Sequence, residues 1–178
     1  MKEESKTSQP REENWCGFLP GYLVSSWVEN HIREAVQPAG IDLTVAEIRE
    51  FNAPGLLGRE ERRIPLGKPL EPINGVWKLP LGAYRIRFRE IVEIPVTGIG
   101  FCYPRSSLLR MGALLHCAVW DPGYKGRGEA LLYVANPYGV EIEVGARIAQ
   151  LVIARVHPAP REIYRGAYQL EGVKQERR

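Results

Sequence analysis

Residues 105–156 read RSSLLRMGALLHCAVWDPGYKGRGEALLYVANPYGVEIEVGARIAQLVIARV. Three polar or glycine-bearing signatures punctuate this run: RSSLLR at 105–110, WDPGY at 120–124 and GARIAQL at 145–151. Between and through them run short apolar segments, 113–120, 129–135, 140–144 and 147–156, whose length and spacing predict β-strands. Short strands broken by frequent turn signals predict an all-β fold, a distorted β-barrel or jelly roll. Eighteen glycines and fourteen prolines among 178 residues point the same way.

The pattern extends upstream. Ile41, Leu43 and Val45 alternate with Asp42 and Thr44, and Tyr84, Ile86 and Phe88 alternate with Arg85, Arg87 and Arg89, giving one strand a basic face. Segments 91–96 and 99–103 are further strand candidates. The stretch 52–80, rich in Gly, Pro and charge, reads as a long excursion carrying one hairpin. A short N-terminal helix is expected after Leu19-Pro20-Gly21. There Ser26 and Glu29 have capping-box spacing, and Trp27, Val28, His31, Ile32, Ala35 and Val36 recur helically until Pro38. The expected organisation is a charged, flexible tail over 1–14, a β-barrel domain over 15–160 and a C-terminal arm over 161–178.

Composition narrows the function. The chain is 44% hydrophobic and 25% charged, ordinary for a soluble globular protein. A net charge of +3 is too mild to argue for nucleic acid, though a local arginine cluster would serve a nucleotide. Three cysteines without a CxxC argue against a disulfide framework, and no apolar run is long enough to span a membrane. The cytoplasm is the expected setting. No GxxxxGK[ST] phosphate loop and no HxE/PCxxC zinc-deaminase signature occur. His31, His116 and His157 lack metal-ligand spacing.

RSSLLR sets two hydroxyls between two guanidiniums, as one turn of helix after a strand could; this is either an anion seat or a capped helix start with solvated arginines. In WDPGY, Pro122-Gly123 predicts a turn with Asp121 as its first residue. Residues 114–119 include the small Cys117 and Ala118, which by burial statistics alone are core positions. Nothing nearby in sequence activates Cys117 as a nucleophile. Asp42 reads as a strand acid that could pair with an arginine, and Gln150 as an outward strand residue.

The three signatures, in this order and spacing, resemble the trimeric dUTPase and dCTP deaminase superfamily, specifically a dUTPase of its deaminase-like, archaeal-type branch. The likeness extends to PAGIDLTV at 38–45 and YRGAYQLEGV at 164–173. It implies a homotrimer with active sites shared between subunits. Arg105, Ser106, Ser107 and Arg110 would then bind phosphate, and Asp121 would direct water at the α-phosphate. Tyr124 would stack on the deoxyribose, while Cys117 and Ala118 would belong to the base-reading hairpin. Gln150 would reach the phosphates, Asp42 would serve Mg²⁺ indirectly through water, and Tyr168 and Gln169 would belong to an arm that closes over the triphosphate. This last segment departs most from the family pattern, because Ala167 stands where deaminases often carry lysine.

Both branches bind a pyrimidine deoxynucleoside triphosphate. Deaminases add a glutamate on the strand after the turn. The family places it five residues beyond the glycine matching Gly126, where this chain has Leu131, while counting back from Asn136 aligns it with Tyr133. Glu129 shares their parity but lies two residues short of Leu131, roughly 7 Å along a strand, which is expected to take it out of reach. The expected activity is therefore hydrolysis of dUTP to dUMP and pyrophosphate. The alternatives are dCTP deamination, alone or combined, and non-catalytic nucleotide binding.

Overall fold

The computed structural model describes residues 17–173. The predicted tail at 1–14 lies outside the described residues. The chain opens with β1 (Val28–Glu29), β2 (Val36–Gln37), β3 (Gly40–Glu50), β4 (Leu56–Leu57), β5 (Arg62–Arg63) and β6 (Lys68–Pro69). There follow β7 (Val76–Leu79), β8 (Gly82–Phe88), β9 (Ile91–Glu93) and β10 (Gly98–Pro104). After the helix α2 (Ser106–Arg110) come β11 (Ala113–His116), β12 (Lys125–Gly126), β13 (Glu129–Val134), β14 (Val140–Glu143) and β15 (Arg147–Arg155). The other short helix, α1, spans Gly21–Val24.

The main sheet runs β10-β15-β3-β8-β13-β11, every pairing antiparallel. Its far edges are brought back together: Gly100 of β10 exchanges backbone hydrogen bonds with Trp120, just beyond β11, at 2.9 and 3.1 Å. The sheet is a nearly closed, distorted barrel, which leaves few free edges. Inside it lie Ile41, Leu43, Val45, Ile86, Phe88, Leu132, Leu151 and Ile153, all fully buried.

Two expectations change. The helix anticipated across residues 26–36 is not there. The chain makes one α-turn, a 3₁₀ turn at Ser25–Trp27, strand β1, a second 3₁₀ turn at Arg33–Ala35, and strand β2. Val28 pairs with Val92 of β9, and Asn30 adopts a φ of 65°, so tertiary pairing and a left-handed residue break what the periodicity proposed. Secondly, the apolar–polar alternation read in β3 is not an alternation of burial. Sandwiched between β15 and β8, this strand buries Asp42 and Thr44 to 1% and 5% exposure.

The 52–80 excursion contains the expected hairpin, β4 with β5, together with β6 along β3 and the unanticipated β7, which pairs with β14. Strand β15 ends at Arg155, and residues 161–173 fold back over the Asp121–Tyr124 turn.

Candidate active site

The WDPGY segment forms the turn its residues dictate. Pro122 supplies the bend, Gly123 takes a φ of +83°, and the Tyr124 amide donates to the Asp121 carbonyl at 3.0 Å. The turn is held from both sides. Gly123 N–H donates to the Ile94 carbonyl, and Ile94 N–H donates to the Tyr124 carbonyl, at 3.0 and 2.8 Å. Asp121 itself is exposed.

Asp121 stands on the edge of a cavity of about 340 Å³, a volume in the range of small-molecule sites. Trp120, Tyr124, Tyr164 and Tyr168 give it aromatic walls. Ala118, Val119 and Ile64 add apolar surface, and Arg85, Glu129 and Glu171 complete it. Tyr124 and Trp120 stack at 5.8 Å, and Tyr164 meets Tyr124 edge-on at 5.7 Å.

Tyr124 is not an open platform. It is 4% exposed, and its hydroxyl donates to Glu171 Oε1 at 2.8 Å. Burial first, and the Glu171 carboxylate second, hold the phenol far above its ordinary value, so it stays a donor. Glu171 is also raised, by burial foremost. Gln169 of the arm clasps the turn: its amide donates to the Gly123 carbonyl at 2.9 Å and its carbonyl accepts from Lys125 N–H at 3.0 Å. Tyr168 does line the cavity, with the Arg62 guanidinium 5.5 Å from its ring centroid.

Glu129 lines the same cavity as Asp121. Its carboxylate is committed, however. Oε2 accepts from Arg85 Nε, and Oε1 accepts from Arg87 Nη2 and Nε at 2.9 and 3.1 Å. Leu131 and Tyr133, at the positions weighed for the deaminase carboxylate, point outward at 40% and 41% exposure. The basic face foreseen on β8 is thus neutralised by Glu129 and by Glu47, which lies 3.4 Å from Arg87.

The second group gathers where β3, β15 and the start of α2 meet. Asp42 lies opposite Gln150 in the β3–β15 register. Its Oδ2 is 3.1 Å from Arg105 Nε and 3.3 Å from Arg147 Nη1. Burial raises the Asp42 carboxyl above its ordinary value, and the two guanidiniums oppose that shift. The structure thus shows Asp42 in the arginine pairing that its residue type allowed.

Ser106, Ser107 and Arg110 are exposed on α2, and Gln150 is half-buried on β15. None of Arg105, Ser106, Ser107, Arg110 or Gln150 lines the aromatic cavity. Cys117 is half-buried against Cys102, whose thiol is pushed well above its ordinary value by that contact and by burial. Sequence reasoning missed Arg85, Tyr164 and Glu171 as cavity residues. The alternation of β8 placed Arg85 on one face with Arg87, but nothing local said what that face met.

A family model described as dCTP deaminase-like matches residues 25–156. A probable deoxyuridine 5'-triphosphate nucleotidohydrolase of Aeropyrum pernix is 54% identical over 158 residues, 88% of this chain and 99% of that protein. A deoxyuridine 5'-triphosphate nucleotidohydrolase of Methanocaldococcus jannaschii is 39% identical over 149 residues, 80% of this chain and 92% of that one. Among solved structures, a 2'-deoxycytidine 5'-triphosphate deaminase from Agrobacterium tumefaciens shares the fold, with a TM-score of 0.64 at 16% identity. That match covers 80% of this chain and 49% of the other, so this chain spans about half its length. With the barrel matched from residue 25 to residue 156 and relatives aligned along nearly their whole lengths, the chain belongs to the dCTP deaminase-like family.

Proposed function

We propose that this protein is a dUTP diphosphatase, acting in the cytoplasm, that converts dUTP and water to dUMP and pyrophosphate. The observation that carries this reading is the exposed Asp121 carboxylate, fixed by a doubly pinned turn on the edge of an aromatic cavity. A carboxylate so placed can orient a water and take its proton as the water attacks the α-phosphorus. The bond from that phosphorus to the α–β bridging oxygen then breaks, and pyrophosphate leaves. The names of the relatives in Aeropyrum pernix and Methanocaldococcus jannaschii support the choice of substrate.

Arg105, Ser106, Ser107, Arg110 and Gln150 hold the triphosphate in this reading, with Asp42 keeping Arg105 in place. Cys117 and Ala118 belong to the hairpin that meets the base. The active unit in this reading is the homotrimer that the family resemblance implies, with one subunit's arginines completing its neighbour's cavity; that none of these side chains lines the Asp121 cavity supports such sharing. Tyr124 meets the sugar once the arm lifts, and Tyr168 covers it when the arm returns.

A resident metal does not fit: among the described residues no group of three His, Cys, Asp or Glu side chains is placed to hold one. Mg²⁺ would instead arrive with the substrate's phosphates, where it would neutralise charge on the departing pyrophosphate.

Glu129 favours a second reading, deamination of dCTP, because it lines the cavity. Its oxygens already accept from two arginines, which opposes proton shuttling. Asp121→Asn should lower pyrophosphate release from dUTP at least about 100-fold while leaving nucleotide binding within a few-fold. Ammonia release from dCTP by the unmodified enzyme would favour the deaminase; binding of dUTP without pyrophosphate release would leave a binding protein.

A further inference from the structure

Among the described residues lining the aromatic cavity, Arg85 is the single cation, and it shares the lining with three carboxylates, Asp121, Glu129 and Glu171. With Arg85 and Glu129 already paired, this lining offers three phosphates no free cluster of guanidiniums. It suits the uncharged part of a nucleotide, the base and sugar, with the phosphates directed outward to guanidiniums elsewhere. The aromatic and alanine surfaces fit a flat ring.

Arg85 is held in one orientation. Its side chain is 21% exposed, its Nε donates to Glu129 Oε2, and its Nη1 donates to the Pro65 carbonyl at 2.9 Å. Glu129 is steadied in turn by Arg87. A guanidinium carries five N–H donors. Two are spent on these anchors, and the others have no partner among the described residues. Arg85 also lines the adjoining cavity beside His116, and Ala118 and Glu129 are common to both spaces. The unspent donors therefore belong to a wall where a ring lying on Ala118 would present its edge.

We infer that Arg85 determines base specificity by donating a hydrogen bond to the C4 carbonyl of uracil, with Glu129 as its positioning residue. Cytosine carries an amino group at C4, so donor would meet donor, and both the guanidinium and the amine would lose a partner. Uracil and cytosine share the C2 carbonyl, so a contact there could not distinguish them. This inference rests on the reading of the cavity as the seat of base and sugar.

The test is calorimetric binding of dUMP and dCMP to the full-length protein, alongside pyrophosphate release from dUTP. The unmodified protein should prefer dUMP, and Arg85→Met should shrink that preference about 10- to 100-fold, chiefly by weakening dUMP. Glu129→Gln, which keeps an acceptor for Arg85, should shrink it less. A measurement that needs no variant uses dUMP carrying sulfur in place of one carbonyl oxygen. Substitution at C4 should weaken binding to the unmodified protein, whereas substitution at C2 should change it little.

An unchanged dUMP-to-dCMP ratio in a folded Arg85→Met, or equal effects of the two sulfur substitutions, overturns the role of Arg85. The diphosphatase reading survives that result if pyrophosphate is still released. Binding of neither monophosphate by the unmodified protein overturns the inference as well. Selective dUMP binding without pyrophosphate release upholds Arg85 and removes the diphosphatase.

Discussion

Glu90 is 2% exposed, and its carboxylate accepts the Thr44 amide at 2.9 Å and the Thr44 hydroxyl at 2.7 Å. The neighbouring Arg89 amide donates to the Thr44 carbonyl, so residues 89 and 90 satisfy Thr44 where the β3–β8 register shifts. Glu90→Ala would leave a buried amide and hydroxyl without that acceptor, at a cost of about 2–3 kcal/mol. Urea unfolding should show this as a lower midpoint with an unchanged slope, and Glu90→Gln should lose less. A Glu90→Ala midpoint equal to that of the unmodified protein would refute the structural role. Nothing in the sequence marked Glu90, because its partner is 46 residues away. Asp121 was legible because Pro-Gly fixes its local geometry. Asp42 was half legible: its residue type allowed an arginine partner, but only the β3–β15 register brings Arg105 and Arg147 to it.

At the scale of elements, strands whose alternation reports an inner and an outer side were readable from sequence, β8 and β13 among them. The 26–36 segment was not, since the same apolar spacing serves a chain that turns twice and lends Val28 to β9. Strand β7 was hidden by its four-residue length, between Gly75 and Pro80.

The arm at 161–173 was legible as a segment but not in its attachments. It docks through Tyr164 N–H to the Pro122 carbonyl, Leu170 N–H to the Lys125 carbonyl and Arg127 N–H to the Glu171 carbonyl, at 2.8, 2.7 and 2.9 Å. Docking raises Glu171 above 4.5, mainly by burial. The docked arm therefore holds that proton more readily than a free arm. Docking should strengthen as pH falls toward 4.5 and weaken as pH rises through the docked value. Hydrogen-exchange protection of the Leu170 amide, corrected for intrinsic exchange, should accordingly decline as pH rises above the ordinary carboxylate range. Glu171→Gln should flatten that decline. Protection that rises with pH in the unmodified protein would reverse the sign and refute the assignment.

At the scale of the whole molecule, the sequence supports a barrel but not its strand order. The path β10-β15-β3-β8-β13-β11 joins segments more than a hundred residues apart, such as Gln150 and Asp42. The proposed chemistry falls into two groups near the seam where the sheet closes. Arg110 sits on α2, beside the β10 edge, while Asp121 lies on a cavity that none of the proposed phosphate-binding side chains lines. A shared site follows if both groups touch one nucleotide, and mixing two disabled chains tests this directly. Asp121→Asn and Arg110→Ala should each be nearly inactive alone. Co-refolded in equal amounts as trimers, they should regain about a quarter of normal activity, because one junction in four pairs an intact Asp121 with a neighbour's intact Arg110. If both residues serve a site within one chain, every site keeps one defect and mixing restores nothing.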